Sequence, residues 1–133
     1  YLNNFLLDSL EQPVPIPIDF NMGNSIIYGN NYNEFQTEMV AGADSIYYLD
    51  HVSLRTELNT NNPENYNMIQ KNQDPLFLDY NVNDYRLDSL SPARKFGDTQ
   101  IAAEVPFDIV GTQRTVEPDL GAYQFVPGQE DRW

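Results

Sequence analysis

The apolar residues of this chain fall in short runs, and no long segment follows the three-and-four spacing of an amphipathic helix. Asn, Gly, Asp or Pro bounds each run, as expected for β-strands that end in turns. The sequence therefore predicts an all-β fold. The predicted strands are Phe5–Leu7, Val14–Phe20, Ser25–Gly29, Ser45–Leu49, His51–Leu54, Pro75–Tyr80, Asp84–Leu87, Phe107–Val110 and Gly121–Phe125. In Val14–Phe20, proline removes backbone donors, which predicts an edge or extended passage.

The spacing of these runs favours a solenoid. The interval from Ile26 to Val52 is nearly equal to the interval from Val52 to Phe77. Repeats of this length are typical of solenoids and propellers, in which each coil buries its face against the next. The alternative is a β-sandwich with tight hairpins, which favours Asn-Gly or Asp-Gly turns. Neither dipeptide occurs in the chain.

Charge and composition exclude several classes of function. The 133 residues carry a formal net charge of −13 and contain no cysteine. Such a chain repels phosphate backbones and anionic lipid surfaces, so nucleic-acid binding is not expected. Disulfides and thiolate metal sites are excluded, and no apolar run is long enough to span a membrane. The first ten residues lack the basic leader of a signal peptide, so we interpret the chain as a mature or truncated product.

One segment has the signals of a short helix. Ser91 suits an N-cap, Pro92 suits the first helical position, and Gly97 suits the C-terminal stop. The sequence "SPARKFG" therefore predicts a single helical turn, on which Arg94 and Lys95 are expected to be exposed.

Five motifs occur in a recognisable order along the chain. They are "NSIIYGN" (Asn24–Asn30), "DPLFLD" (Asp74–Asp79), "DYRLDSLSPARKFGD" (Asp84–Asp98), "DIVGTQR" (Asp108–Arg114) and "DLGAYQF" (Asp119–Phe125). Together they resemble the C-terminal end of right-handed parallel β-helix proteins of the pectate-lyase-like superfamily. Arg94, Lys95 and Phe96 depart from the usual small or acidic residues of the third motif, and Gln124 replaces the usual Glu of the last.

The resemblance implies one domain with two parts: terminal β-helix coils in residues 1–83 and a closing segment in residues 84–133 that covers the open strand edge. It also implies a secreted or cell-surface protein, associated with the outer membrane of a polysaccharide-degrading Gram-negative bacterium. Within the motifs, it gives a structural role to Pro92, Gly97, Asp98, Asp119 and Gly121.

The function implied is that of a structural or interaction module associated with glycan binding or processing. Its expected partners are the N-terminal remainder of the β-helix or a partner protein, and a glycan. The alternative is the C-terminal part of a polysaccharide lyase or glycoside hydrolase. The catalytic coils of such an enzyme would precede this chain, so no catalytic residue is assigned and no cofactor is expected.

A calcium site is a weak prediction. Asp79, Asn81 and Asn83 match the start of an EF-hand loop, but Asp84 replaces its Gly and Leu90 its bidentate Glu. An isolated cation site could use Asp79, Asn81 and Asp84; an Asx-turn loop is the favoured interpretation. His51, the only histidine, is interpreted as a packed or turn residue rather than a metal ligand.

Tyrosines beside Asn-rich turns are the candidate glycan contacts. They are Tyr28, Tyr32, Tyr47 and Tyr48. Exposed Tyr rings beside amides suit a neutral sugar, and the alternative is that the aromatic rings stack inside the solenoid.

The basic residues of the closing segment are interpreted as structural. Arg86 lies two residues from both Asp84 and Asp88, on the same face of a strand. Arg114 is expected to bind a carboxylate of Glu117 or Asp119, or the carbonyl groups of a turn.

Overall fold

The fold is largely β, and the computed structural model describes residues 1–129 of it. The strands are β1 (Leu2–Asn3), β2 (Phe5–Leu7), β3 (Pro13–Pro15), β4 (Ile18–Ile27), β5 (Thr37–Glu38), β6 (Ser45–Leu54), β7 (Tyr66–Lys71), β8 (Phe77–Asp79) and β9 (Asp84–Leu87). A 3₁₀ helix at Tyr80–Val82 joins β8 to β9, and α1 spans Thr99–Glu104. The predicted closing segment ends in residues 130–133, which lie outside the described residues. Neither helix described in residues 1–129 has the length and apolar character needed to cross a membrane.

The largest sheet is parallel. It has the strand order β4-β6-β7, and β1 also pairs in parallel with β5. The predicted repeat places Ile26 opposite Val52. In the sheet, Val52 lies opposite Ser25, one residue away. The second predicted interval is wrong: Val52 lies opposite Ile69, and Phe77 pairs with Leu87 in an antiparallel hairpin. In the described part of the chain, the other sheets have two strands each and none closes into a helix.

The three parallel strands bend at the same position. Asn24, His51 and Met68 are neighbours across the sheet, and their φ angles are 45°, 54° and 50°. Each lies between paired positions, since Gly23 pairs with Asp50 and Ser25 with Val52. A left-handed residue changes the direction of a strand, and Asn and His adopt this conformation more readily than most residues. The aligned residues therefore make a shared corner in the sheet.

One face of this sheet holds the main core. Leu49, Val52 and Leu54 of β6 are fully buried, and Phe35 and Tyr66 complete the cluster. Burying a side chain of this kind stabilises the fold by roughly 1.5–3 kcal/mol. This cluster holds the parallel strands together.

The closing segment lies against the opposite face of the sheet. Ile26, Ser53 and Gln70 form one row across the three strands. Ser53 is fully buried, Gln70 donates to the Pro92 carbonyl at 2.7 Å, and Ile26 packs on a second core of Leu87, Ala93 and Leu120. The segment covers this row, whose neutral side chains favour burial.

The predicted helical turn is a hydrogen-bonded turn. Ser91 acts as expected, since its Oγ accepts from the Ala93 amide at 3.1 Å. The helix begins later, at Thr99, because the Asp98 carboxylate accepts from the amides of Gln100 and Ile101. At Gly97, an added Cβ would lie 2.8 Å from the Pro118 carbonyl, which explains the need for glycine.

Two predicted strands are irregular in the structure. Phe107–Val110 contributes only an isolated bridge between Phe107 and Gln113, and Gly121–Phe125 contains no strand. The carboxylate of Asp108 accounts for the first region: it accepts from the amides of Val110 and Thr112 and so closes a turn. Local side-chain bonds of this kind compete with strand pairing.

Candidate functional site

An aromatic cleft of about 440 Å³ lies where β4, the β8–β9 hairpin and the closing segment meet. Its rings come from three separate parts of the chain. The lining residues are Ile26, Tyr28, Phe77, Tyr85, Ile109, Gly121, Ala122 and Tyr123. We call this set the aromatic cleft, and none of its side chains carries a charge at neutral pH.

The corner of the sheet places one wall of the cleft. Ile26 faces the closing segment, and Tyr28, two residues on, follows the strand's alternation to the same side. Arg55 contacts the Tyr28 ring through its guanidinium group. Its guanidinium carbon lies 5.3 Å from the Tyr28 ring centre and 5.2 Å from that of Tyr32, and its Nη1 donates to the Gly29 carbonyl at 2.5 Å. This double cation–π contact keeps Tyr28 in place.

The hairpin supplies the second wall. Phe77 and Tyr85 meet edge to face, with ring centres 5.4 Å apart and planes at 85°. The Tyr85 hydroxyl donates to the Asn83 side chain at 3.0 Å. This geometry is a favourable one for aromatic pairs. Tyr85 is 44% exposed, so part of this residue is open to a ligand.

The closing segment supplies the third wall and depends on a glycine. Gly121 has a φ of +90°, and an added Cβ would lie 2.9 Å from Ile26 Cδ1. Its amide donates to the Asn24 carbonyl at 2.9 Å. Carboxylates hold the following residues: Asp108 accepts from the Gln124 amide, and Asp119 accepts from the Phe125 amide. Tyr123 is therefore fixed from both sides.

The four predicted glycan tyrosines divide between separate environments. Tyr28 lines the cleft, and Tyr32 is 77% exposed, contacts Arg55 and does not line the cleft. Tyr47 packs edge-on against Tyr66, and their hydroxyl oxygens are 3.2 Å apart. Burial, together with the Tyr47 hydroxyl, raises the pKa of Tyr66 well above its ordinary value. Tyr48 is partly buried in β6, and neither Tyr47 nor Tyr48 lines the cleft.

Phe77, Tyr85 and Tyr123 were missing from the predicted contacts. They lie far from Tyr28 in sequence, and only tertiary packing brings the four rings together. One local signal could have identified Tyr85. Successive residues of a strand face opposite sides, so if Arg86 is buried, its neighbour Tyr85 is expected to be exposed.

The predicted cation ligands are occupied by other partners. Both oxygens of Asp84 bind Arg86, at 2.7 and 2.6 Å. The hydrogen bond from Arg86 holds the pKa of the Asp84 carboxyl below its usual value. Asp79 accepts from the Asn81 amide and thereby caps the 3₁₀ helix. Across residues 1–129, no three His, Cys, Asp or Glu side chains are grouped to hold a metal ion. Calcium binding at these residues stays a prediction.

The basic residues also have defined contacts. Besides Asp84, Arg86 binds the Gln129 carbonyl at 2.5 Å. Contrary to expectation, Arg94 is partly buried: its guanidinium carbon lies 3.8 Å from the Phe125 ring centre, and it donates to the Ser89 carbonyl. Lys95 is exposed as expected and pairs with Glu117.

His51 is a packed residue within strand β6. Its Nδ1 lies 2.7 Å from Asp50 Oδ1, and its ring centre lies 5.9 Å from that of Phe96. These contacts fix it at the corner between β6 and the closing segment.

No protein family, curated protein or solved structure matches this chain.

Proposed function

We propose that this chain is a glycan-binding interaction module, formed by the last coils and closing segment of a parallel β-helix exported to the surface of a Gram-negative bacterium. The aromatic cleft is its sugar site. The observation that carries the proposal is the meeting of four aromatic rings in one uncharged cleft.

The chemistry of the cleft favours a neutral sugar. Aromatic rings offer flat apolar faces, and tyrosine adds a hydroxyl that can bind a sugar hydroxyl. A volume of about 440 Å³ suits one or two sugar rings, since small-molecule sites usually measure about 300–1,000 Å³. The net charge of −13 disfavours polyanionic chains.

The β-helix assignment draws support from the parallel sheet. β4, β6 and β7 follow one another in register, and their left-handed residues align at one corner. Within residues 1–129, β4 pairs along its length with β6 alone, so its other edge can receive a preceding coil. We propose that the N-terminal remainder of the β-helix, or a partner strand, covers this edge.

Isothermal titration calorimetry tests the sugar site. The ligands are neutral oligosaccharides of glucose, galactose, mannose and xylose, each compared with oligouronates of the same length. We expect heat with at least one neutral series and weaker or no heat with the uronates. Tyr85→Ala and Tyr123→Ala should each weaken binding about twofold to tenfold, since one aromatic contact contributes about 0.5–1.5 kcal/mol.

Tyr80→Ala is the matched control, because Tyr80 is also an exposed tyrosine but does not line the cleft. It should leave the affinity unchanged. Absence of heat with every neutral series would refute the proposal, as would equal affinity of the wild type and the Tyr85→Ala variant.

A further inference from the structure

Arg114 lacks the acidic partners that its sequence neighbours predict. Glu117 binds Lys95, with Nζ and Oε2 3.0 Å apart. The Asp119 carboxylate accepts from the backbone amides of Lys95 at 2.7 Å and Phe125 at 2.6 Å. Within residues 1–129, neither carboxylate forms an ion pair with the Arg114 guanidinium.

Arg114 is nevertheless buried, with 8% of its surface exposed. Its Nη2 donates to the Gly121 carbonyl at 2.7 Å. In the part of the chain that the structure describes, its Nε is shielded from solvent and has no hydrogen-bond partner. A guanidinium remains charged, and a buried charge without a counter-ion is strongly unfavourable. Buried polar groups are normally satisfied, so this Nε–H is one acceptor short, and among residues 1–129 the guanidinium has no carboxylate partner.

A cavity of about 400 Å³ lies beside this guanidinium. It is separate from the aromatic cleft but adjoins it, since both contact Ile26, Gly121 and Ala122. The cavity lining is Gly23, Asn24, Ser25, Ile26, Ile101, Val105, Arg114, Gly121 and Ala122. The Asn24 amide is already bound to Asp98, which leaves Arg114 as the charged group facing mainly aliphatic walls.

We propose that this cavity binds a small aliphatic monocarboxylate. The guanidinium N–H groups that reach the cavity donate to the carboxylate oxygens, as arginine commonly does. The alkyl part lies on Ile26, Ile101 and Val105. A single cation in a chain of charge −13 suits a monoanion and disfavours ligands of higher negative charge.

The first test observes Arg114 directly in the wild-type protein. Sodium butanoate is titrated in nitrogen-15 NMR spectra that resolve the arginine Nε–H signals, and butanamide serves as the uncharged control of the same shape. We expect a saturable downfield shift of the Arg114 Nε–H with butanoate and at least tenfold weaker binding of butanamide. An unmoved Arg114 signal at high butanoate, or equal shifts with the two compounds, would overturn the proposal.

Variants add a second measurement. Arg114→Gln should weaken butanoate binding at least tenfold and remove the preference over butanamide. Lys95→Gln is the matched control, because it removes one positive charge from an exposed residue that does not line this cavity. It should leave butanoate binding unchanged. If the Arg114→Gln protein does not fold, the NMR titration of the wild-type protein alone tests the proposed carboxylate site.

The source of the carboxylate is tested with a pair of short peptides that end in a free or an amidated C-terminus. Weaker binding of the free-acid peptide than of butanoate supports a small ligand. Tighter binding that depends on its free terminus would overturn the small-ligand assignment. Tyr85→Ala should not affect butanoate binding, so this site and the sugar site can succeed or fail separately.

Discussion

The side-chain amide of Asn24 binds both backbone groups of Asp98, which lies 74 residues further along the chain. Asn24 Nδ2 donates to the Asp98 carbonyl at 2.8 Å, and Asn24 Oδ1 accepts from the Asp98 amide at 2.7 Å. The side-chain amide thus makes the two hydrogen bonds that the backbone of a neighbouring strand would make with Asp98. Asn4 binds Val40 in the same way, and Asn72 binds Thr56. Asparagine joins distant loops of this chain where the strands are too short to do so.

Asn24→Ala should lower the free energy of unfolding by about 3 kcal/mol. It removes two hydrogen bonds at a buried site and places alanine at a left-handed φ of 45°. Asn24→Gly removes the same bonds but tolerates that φ, so its cost should be about 1–2 kcal/mol. Urea denaturation measures both. Asn21→Ala, at an exposed position, should change stability by less than about 0.5 kcal/mol; equal effects at positions 21 and 24 would contradict this role.

Arg94 and Lys95 should differ in their effects, although they are adjacent and carry the same charge. Arg94→Ala loses the stacking on Phe125 and the bond to the Ser89 carbonyl, which should cost about 1–2 kcal/mol. Lys95→Ala loses an ion pair between two side chains that are more than half exposed, which should cost less than about 0.5 kcal/mol. Thermal unfolding of the two variants compares them, and a larger loss for Lys95→Ala would refute this assignment.

The Asp84–Arg86 pair should make part of the stability depend on pH. The pKa of Asp84 is lower in the folded protein than its unfolded value of about 3.9, because Arg86 donates to the charged carboxylate. The stabilisation is therefore fully present above the unfolded pKa and is lost as pH falls through the lowered, folded pKa. Asp84→Asn should cost about 2 kcal/mol at pH 7, and its difference from the wild type should shrink as the pH falls below about 4.

Urea denaturation between pH 7 and pH 2 measures this difference. Asp44→Asn is the control, since Asp44 is exposed and its carboxylate forms no hydrogen bond among residues 1–129. A difference between Asp84→Asn and the wild type that stays constant across the range would show that the ion pair contributes nothing to the pH dependence.

Gly121→Ala should be more destabilising than Gly111→Ala. Both glycines have left-handed φ angles, +90° and +86°, so alanine at either position costs about 1–2 kcal/mol in backbone strain. Only at Gly121 would the new Cβ also meet Ile26, at 2.9 Å; at Gly111 nothing lies within 4 Å. Chemical denaturation should show an excess loss at Gly121 of at least about 1 kcal/mol. Similar losses at the two positions would mean that the closing segment can move away from Ile26.

The sequence predicts strands well where local rules apply. The bounds of β2 and β9 match the predicted Phe5–Leu7 and Asp84–Leu87. The sequence does not predict β7, because the corner at Met68 breaks the alternation of the strand. Residues an odd number of positions apart lie on opposite faces of a regular strand, yet Tyr66 and Ile69 both pack in the core cluster. Leu49 and Val52 have the same spacing and are both buried, so the same corner interrupts β6. Left-handed φ at a methionine carries no sequence signal.

The candidate site was less predictable than the strands. Tyr28 was among the predicted sugar contacts, but its partners in the cleft come from β8, β9 and the closing segment. Arg114 was expected to bind a carboxylate of Glu117 or Asp119, or the carbonyl groups of a turn, and it binds the Gly121 carbonyl. In the structure, Glu117 forms its ion pair with Lys95, and the Asp119 carboxylate accepts hydrogen bonds from backbone amides. Such competition between partners depends on tertiary positions, which spacing along the chain does not encode.

The aligned corner at Asn24, His51 and Met68 also bears on how such a chain can evolve. The stretch of chain from the corner of β4 to that of β6 is clearly longer than the stretch from the corner of β6 to that of β7. An insertion or deletion in the loop between two of these strands therefore leaves the corner in place, while the same change within a strand would move every later residue to the wrong face. Loops of different length between aligned strands remove a fixed period from the sequence, so the alignment of these corners is visible in the sheet but not in the spacing along the chain.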